Sequence, residues 1–265
     1  MENYNILKSY SHKSLYSELY KCIHIKSGET VMVKKFPTYN SDQELEILKQ
    51  ISHPNIVTYI NSFIKEDNYH LIQQFIDGCT IEEYVKNNPN LNKTLTNTEL
   101  RYMLIELTRA VKYINDKNIY HLDIRPCNIM YSNLKKIYLI DFGCAQQEGV
   151  TNSDASYFGI YNHLPPEYIN QKYIKKVDIW GIGIIIYYLL FQTMPYNFNQ
   201  EIFTKKIDYE KLTNNYIKQN KDIENTPFHR GIFIEILGNL LNTDYEKRMD
   251  FDDLLCILED LISDE

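Results

Sequence analysis

The chain has 265 residues, with 28 Lys and Arg against 35 Asp and Glu, so its formal net charge is −7. This mild acidity excludes the clustered positive charge that binding to duplex DNA or RNA normally needs. Hydrophobic residues make up 44% and charged residues 24%, with only 9 Gly and 8 Pro, which excludes a disordered chain, a collagen-like fold and a loop-dominated fold.

The first 75 residues predict a small β-rich unit. Four runs rich in Val, Ile and Tyr have the composition of strands: residues 19–25, 31–36, 56–63 and 69–75. A turn at Gly28 separates the first two runs. One helix is predicted among them, over residues 41–51, because its apolar residues recur at the spacing of a single helical face: Leu45, Leu48 and Ile51.

Helices dominate the chain after residue 78. Apolar residues recur at three- and four-residue steps over residues 100–114 and predict an amphipathic helix. The Asn-rich segment before it, residues 87–97, predicts an exposed loop, and a short β-type region follows at residues 129–140. The apolar run at residues 179–191 has 13 residues, fewer than the roughly 20 needed to cross a bilayer, and predicts a buried core helix.

The cysteines and the N-terminus indicate a compartment. Five cysteines lie far apart with no CxxC spacing, which frames neither disulfides nor a zinc site and indicates a reducing environment. The first residues lack the basic start and apolar stretch of a signal peptide. We therefore expect an intracellular, cytoplasmic protein without membrane insertion, with the cytoplasm of a host cell as one possibility.

Four groups of residues carry chemistry, and they follow one another in a particular order. They are Lys34 at the end of a predicted strand, Glu44 on the predicted helix, residues 121–128 with the pattern HxDxxxxN, and Asp141-Phe142-Gly143. Phosphoryl transfer needs a cation on the nucleotide phosphates, carboxylate or amide oxygens for Mg²⁺, and a carboxylate that accepts the hydroxyl proton. The four groups supply each of these parts.

On these motifs, on Pro166-Glu167 and on the series from Asp178 to Gly183, the chain resembles the eukaryotic-type protein kinases over essentially its whole length. The resemblance implies an α+β, bilobal protein-kinase fold, with a small β-rich N-lobe that holds one helix and a larger, mainly helical C-lobe. It implies a single domain over residues 1–265, with the N-lobe at 1–76, a hinge near 74–78 and the C-lobe at 77–265.

The resemblance also implies catalytic and metal-binding roles. Lys34 would contact the ATP phosphates and pair with Glu44. Asp123 would orient and deprotonate the acceptor hydroxyl, and Arg125 stands where serine/threonine kinases usually carry a lysine on the γ-phosphate. The two Mg²⁺ ligands would be Asn128 and Asp141.

A nucleotide site between the lobes is implied as well. The hinge that binds adenine would run from Gln74 to Ile76, and an apolar slot would sandwich the ring between Leu19, Met32 and Met130. For Leu19 and Met130 a place in the core is an equal alternative.

Three structural contacts follow from the same resemblance. Glu167 would pair with Arg248, and Asp178 would bind backbone amides near His121. A stack of side chains would link the lobes: Leu48, Tyr59, His121 and Phe142.

The loop over the phosphates departs from the family pattern. The positions of its three glycines fall on residues with side chains: His12, Ser14 and Ser17. Side chains restrict positive φ there and thicken the loop, so we expect weaker ATP affinity, although backbone amides and the serine hydroxyls could still bind phosphate.

The start of the predicted helix allows two arrangements. In one, Ser41 caps the helix and Glu44 turns back to its amide, in competition with Lys34. In the other, which we favour, Asn40 caps the helix with Gln43 at the third position and leaves Glu44 free for Lys34.

The activation segment also departs from the pattern. Leu122 replaces an arginine that in the family receives a phosphate on this segment, so phosphorylation has no obvious guanidinium to bind at any of its hydroxyl residues: Thr151, Ser153, Ser156 and Tyr157. We therefore predict activity that does not depend on such a phosphate. Ile160 replaces a threonine that bonds the catalytic aspartate in serine/threonine kinases, and Pro165 replaces the usual alanine.

These features favour an ATP- and Mg²⁺-dependent kinase that phosphorylates Ser or Thr of a protein substrate, with no nucleic-acid partner. The alternative from another class is a pseudokinase that binds another kinase or its substrate with little turnover, which the missing glycines would favour. A kinase that phosphorylates a small molecule is the third hypothesis. The sequence leaves the oligomeric state and the substrate open.

Overall fold

A computed structural model describes residues 3–10, 17–38, 42–91, 95–149, 163–169, 175–195 and 227–263. Its N-terminal part is a five-stranded antiparallel sheet in the order β1-β2-β3-β5-β4. The strands are β1 (Tyr4–Tyr10), β2 (Glu18–His24), β3 (Thr30–Pro37), β4 (Tyr59–Lys65) and β5 (Asn68–Gln74). The first of them was not among the predicted runs, because its side chains are mostly exposed and leave no apolar pattern.

Helix α1 (Gln43–Gln50) follows the third strand. Its buried residues include Leu45 and Leu48, as the sequence spacing predicts. The helix begins after Asp42, which makes no side-chain capping bond, rather than after Asn40 or Ser41. The Gln43 amide nitrogen donates to the carbonyl of Ala145 at 2.8 Å. Residues 39–41, which hold both proposed caps, lie outside the described ranges.

The rest of the chain is mainly helical, with short strands near its start. The helices are α2 (Ile81–Asn87), α3 (Asn97–Asn115), α4 (Pro166–Ile169), α5 (Val177–Phe191), α6 (Pro227–Leu240) and α7 (Phe251–Ser263). The strands are β6 (Gly78–Thr80), β7 (Ile119–Tyr120), β8 (Ile129–Ser132), β9 (Ile137–Leu139) and β10 (Gln146–Gln147). They form a three-stranded sheet, β6-β8-β9, and a β7-β10 pair.

Capping boxes fix the starts of α2 and α3. Thr80 accepts from the amide of Glu83, whose carboxylate accepts from the Thr80 amide, and Thr96 and Glu99 repeat the arrangement. Such reciprocal bonds satisfy amides that a helix start otherwise leaves without partners.

The Asn-rich segment before α3 is not simply an exposed loop. Leu91 is 0% exposed and Leu95 is 4% exposed, and both belong to the main hydrophobic core. The sequence did not indicate this burial, because the segment is mostly polar and only two apolar residues attach it to the core.

Helix α5 lies at the centre of the helical part, as predicted. Nearly all of its residues are buried, and Trp180 is 0% exposed, so its apolar character on every side reflects core packing rather than a lipid environment. Among the helices of the described ranges, none is both long and apolar enough to span a bilayer. This helix fixes the loop that carries Asp123, because its Asp178 carboxylate accepts from two backbone amides of that loop.

Candidate active site

The predicted pairing of Lys34 with Glu44 is confirmed. The Lys34 ammonium on β3 donates to both carboxylate oxygens of Glu44, at 2.8 Å and 2.7 Å. Both side chains are largely shielded from water. Because α1 begins at Gln43, the Glu44 carboxylate lies in the first turn and reaches back to the sheet instead of capping its own helix.

Asp141 completes a cluster of three charges. Its Oδ1 atom accepts from Lys34 at 2.7 Å, and the nearby ammonium lowers the pKa of Asp141 to about 2, although partial desolvation opposes the shift. Burial lowers the pKa of Lys34, but the two carboxylates outweigh burial and raise it above its ordinary value. Lys34 therefore stays charged and connects the sheet, α1 and the segment after β9.

The backbone around Asp141 leaves little room for side chains. Asp141 itself has φ +62, a left-handed conformation that residues other than glycine rarely adopt. A Cβ added to Gly143 would lie 3.2 Å from Asp141 Oδ1 and 3.5 Å from Lys34 Nζ. Glycine at position 143 therefore keeps the approach to the carboxylate and the ammonium open.

The loop after β7 is held to the core by Asp178. From α5, this buried carboxylate accepts from the backbone amides of His121 and Leu122, both at 2.8 Å, and from Asn115 Nδ2 at 2.9 Å. The predicted contact of Asp178 with amides near His121 is confirmed. Because Leu122 has φ +61, these bonds also hold a backbone conformation that its side chain disfavours.

Asp123 supplies the carboxylate of this loop, and side chains from two segments of the chain contact it. Its Oδ2 atom accepts from Asn128 Nδ2 at 2.6 Å, and its backbone carbonyl accepts from the same nitrogen at 2.9 Å. Arg125 Nε lies 3.3 Å from Oδ1, and His163 Nε2 lies 2.8 Å from the same oxygen. His163 was not among the predicted site residues, since a lone histidine outside any periodic pattern gives no signal.

His121 and Phe142 meet edge to face beneath the site. Their ring centroids are 4.8 Å apart, and His121 Nε2 lies 3.1 Å from the carbonyl oxygen of Ile140. Leu48 is buried in the main core and Tyr59 packs against it. The contact between His121 and Phe142 agrees with the predicted link between the lobes; the complete four-residue stack stays a prediction.

The predicted adenine site is distributed over several strands. Leu19 lies opposite Lys34 in the β2-β3 register, and Met32 shares the face of Lys34 because the two are two residues apart on one strand. Gln74 ends β5, Ile76 is buried in the main core, and Met130 on β8 packs against that core. The slot they would form stays a prediction.

The predicted nucleotide loop is described only in part. Ser17 is half-buried directly before β2, whereas His12 and Ser14 lie outside the described residues. Ile160 and the four activation-segment hydroxyls also lie outside them. The end of this segment is described, and there Pro165 is buried.

Glu167 and Arg248 form the predicted ion pair. Arg248 Nη2 donates to Glu167 Oε2 at 2.9 Å, and Nη1 donates to Oε1. The guanidinium also lies over the Trp180 ring, 4.8 Å from its centroid. This pair ties α4 to the segment before α7 and fixes the chain immediately after His163.

Comparisons with known proteins identify relatives along most of the chain. A family model described as the protein kinase domain matches residues 15–257. Human serine/threonine-protein kinase ULK3 is 30% identical over 236 residues, which cover 88% of this chain and 47% of that protein. Serine/threonine-protein kinase pakH of Dictyostelium discoideum is 27% identical over 177 residues, which cover 64% of this chain and 34% of that protein. The chain spans less than half the length of these relatives.

A solved structure supports the architecture. The crystal structure of Rad53 1–466 in complex with AMP-PNP aligns with a TM-score of 0.72 over 96% of this chain and 64% of the Rad53 chain, at 22% identity. The antiparallel sheet with one helix and the larger helical part match that fold. The predicted α+β, bilobal architecture is therefore confirmed.

Proposed function

Because this chain belongs to the protein kinase domain family, we propose that it transfers the γ-phosphoryl group of ATP to Ser or Thr hydroxyls of a protein substrate. The observation that carries the proposal is the joint contact of Lys34 with Glu44 and Asp141. It joins the sheet, α1 and the segment after β9, which is the arrangement that phosphate positioning requires. Relatives whose names specify serine/threonine kinases support this choice of acceptor.

The oxygens of Asp141 and Asn128 fit Mg²⁺. This cation takes oxygen ligands and is usually held by one or two carboxylates together with substrate phosphates and water, so a large cluster of protein ligands is not needed. Asp141 is ionised because of Lys34, and its side chain is 45% exposed. When bound, Mg²⁺ would neutralise charge on the phosphate oxygens.

Lys34 and Arg125 would bind phosphate. The Lys34 ammonium on β3 would contact the phosphates. Its ion pair with Glu44 holds the lysine side chain in position for this contact. Arg125 is partly exposed beside Asp123, where its guanidinium would reach the γ-phosphate. Both cations stabilise the charge that spreads over the transferred group.

Asp123 would serve as the base. The substrate hydroxyl oxygen forms a bond to the γ-phosphorus while the bond from that phosphorus to the β,γ-bridging oxygen breaks. The electron pair of the broken bond leaves with ADP, and the hydroxyl proton passes to the Asp123 carboxylate. Asn128 holds Oδ2 at 2.6 Å, so the carboxylate is oriented before the substrate arrives.

The nucleotide would bind between the two parts of a single domain, with the smaller part at residues 1–76. We assign the adenine contacts to the hinge residues and the apolar slot: Gln74, Ile76, Leu19, Met32 and Met130. The loop residues that would lie over the phosphates are His12, Ser14 and Ser17. Without glycines, this loop predicts weak affinity rather than a different reaction.

Phosphate transfer from labelled ATP to a generic basic protein and to the chain itself tests the proposal. We expect Mg²⁺-dependent transfer that Asp123→Asn abolishes and that Asp253→Asn, a control at an exposed aspartate of α7, leaves unchanged. A second measurement is the unfolding temperature with ATP, with and without Mg²⁺. No transfer and no stabilisation by Mg-ATP would contradict the proposal and favour a pseudokinase.

A further inference from the structure

His163 lies against the carboxylate that the proposed reaction uses as its base. Its Nε2 atom is 2.8 Å from Oδ1 of Asp123, and the two side chains are only 4% and 8% exposed. We propose that His163 is a positioning residue that orients the Asp123 carboxylate toward the substrate hydroxyl. This inference rests on the proposed function and adds a residue to it.

The other side-chain contacts described for Asp123 come from its own loop. Asn128 donates to Oδ2 at 2.6 Å, and Arg125 Nε lies 3.3 Å from Oδ1. His163 approaches Oδ1 from a distant part of the chain, the segment that leads into α4. Contacts from two independent segments restrict rotation of the carboxylate more than contacts from a single loop, which can move together with Asp123.

Packing alone does not account for a histidine at this position. Among the described residues, neither ring nitrogen of His163 has a hydrogen-bond partner, although Nε2 lies 2.8 Å from Asp123 Oδ1. A buried polar nitrogen without a partner costs free energy that an apolar side chain of similar volume would not. Compared with an apolar side chain, a histidine therefore adds a polar nitrogen beside Asp123. Catalytic hydrogen bonds often become aligned only when the substrate binds.

The surroundings of His163 hold it in place. The next residue, Leu164, is buried with Tyr120 and Leu122. A few residues later, Glu167 is bound by the guanidinium of Arg248. A histidine whose following residues are anchored in the core can fix the position of Asp123. Displacement of a reacting group by about 1 Å can cost about 10²-fold in rate.

Substitutions that separate shape from hydrogen bonding test the proposal in the full chain. We expect His163→Phe to lower kcat about 10–100-fold, as loss of an orienting partner typically does, with little change in KM for ATP. His163→Gln, whose amide nitrogen can reach the position of Nε2, should retain most of kcat. His163→Asn is too short to reach Oδ1 and should lose as much as the phenylalanine variant.

A matched control removes another buried imidazole. His70 is 4% exposed and stacks on Phe63 with ring centroids 4.7 Å apart, in the N-terminal sheet. His70→Phe should leave kcat per folded molecule unchanged.

Free energies of unfolding test the contact between His163 and Asp123 without any measurement of turnover. The unmodified chain, His163→Phe, Asp123→Asn and the double variant form a cycle, which we expect to be non-additive because the two side chains touch. Where His163→Phe fails to fold, the glutamine and asparagine variants decide. Full kcat in the phenylalanine variant, equal kcat in the glutamine and asparagine variants, or an additive cycle would overturn this inference alone. Absence of transfer by the unmodified chain would overturn the proposed function and this inference with it.

Discussion

Arg248 binds Glu167 through both terminal nitrogens of its guanidinium, and the Arg248 side chain is completely buried. The same guanidinium donates to the carbonyl oxygens of Asn242 and Lys176. A buried charge that keeps so many partners holds its neighbours together, but it becomes costly once its main counter-charge is removed.

We therefore expect Glu167→Gln and Arg248→Ala to lower the free energy of unfolding by about 3–5 kcal/mol, the usual cost of breaking a buried ion pair. Urea unfolding measures the effect. Arg109→Ala is the matched control, because it breaks an exposed pair with Glu259 and should cost no more than about 1 kcal/mol. Equal losses at the buried and exposed pairs would contradict the prediction.

The contacts that could be predicted from sequence are those made by residues in recognisable motifs. The resemblance to the protein kinases implied that Lys34 pairs with Glu44 and that Asp141 lies at the same site, and the apolar run of α5 indicated its burial. Motif positions carry the first of these predictions, whereas the second follows from residue type, because a helix that is apolar on every side requires a core around it.

The contacts that could not be predicted depend on tertiary position alone. The first strand is mostly exposed, apolar residues included, so only its pairing with β2 defines it. The buried anchors Leu91 and Leu95 are hidden in a polar segment. The contact of His163 with Asp123 joins two residues far apart in sequence, and neither periodicity nor motif spacing indicates which distant side chain will reach a given oxygen.

Substitutions of two glycines of α5 can distinguish an effect on the candidate active site from an effect on stability alone. A Cβ on Gly181 would lie 2.5 Å from the Ile124 Cβ, and a Cβ on Gly183 would lie 2.8 Å from the Leu241 Cδ2. Ile124 follows Asp123 directly, whereas Leu241 follows the end of α6, in a different part of the chain.

Both Gly181→Ala and Gly183→Ala should lower the free energy of unfolding by about 1–3 kcal/mol through overpacking. The higher helix propensity of alanine should offset about 1 kcal/mol of this loss. Only Gly181→Ala should also lower kcat, about 10–100-fold, because it displaces the backbone beside the base. Steady-state kinetics corrected for the folded fraction tests this. A similar kcat in the two variants would show that displacement of Ile124 does not reach Asp123.

The apolar side chain of Leu122 predicts that activity does not depend on phosphorylation of the activation segment. Its side chain is 2% exposed and packs in an apolar cluster with Tyr120, Leu164 and Val177. Such a side chain cannot bind phosphate, and it holds the end of the segment by packing. Leu122→Ala should therefore cost about 2–5 kcal/mol, as truncation of a buried leucine usually does.

Activity should survive both phosphatase treatment and removal of the segment hydroxyls: Thr151, Ser153, Ser156 and Tyr157. The measurement is phosphate transfer by the substituted chain relative to the unmodified chain, with Asp123→Asn as the inactive reference. If transfer fell to the level of that reference while the chain remained folded, phosphorylation would be required despite the apolar cluster.

The contact of Lys34 with Asp141 predicts an acid-dependent loss of stability. The ammonium lowers the pKa of Asp141 from its ordinary 3.8 to about 2. A carboxylate whose pKa is lower in the folded state stabilises the fold above its unfolded pKa, and this contribution disappears as the pH falls toward the folded pKa. The stabilisation should therefore be complete near neutral pH and be lost between about pH 4 and about pH 2.

Urea unfolding of the unmodified chain and of Asp141→Asn, without nucleotide, measures this contribution. The unmodified chain should be the more stable of the two at pH 7, and the difference should shrink as the pH falls below about 4, because protonated Asp141 resembles asparagine. Asp67→Asn, at an exposed turn between β4 and β5, controls for a general effect of removing one charge. A difference that stays constant with pH, or that narrows equally for Asp67→Asn, would mean that Lys34 does not bind Asp141 as the geometry indicates.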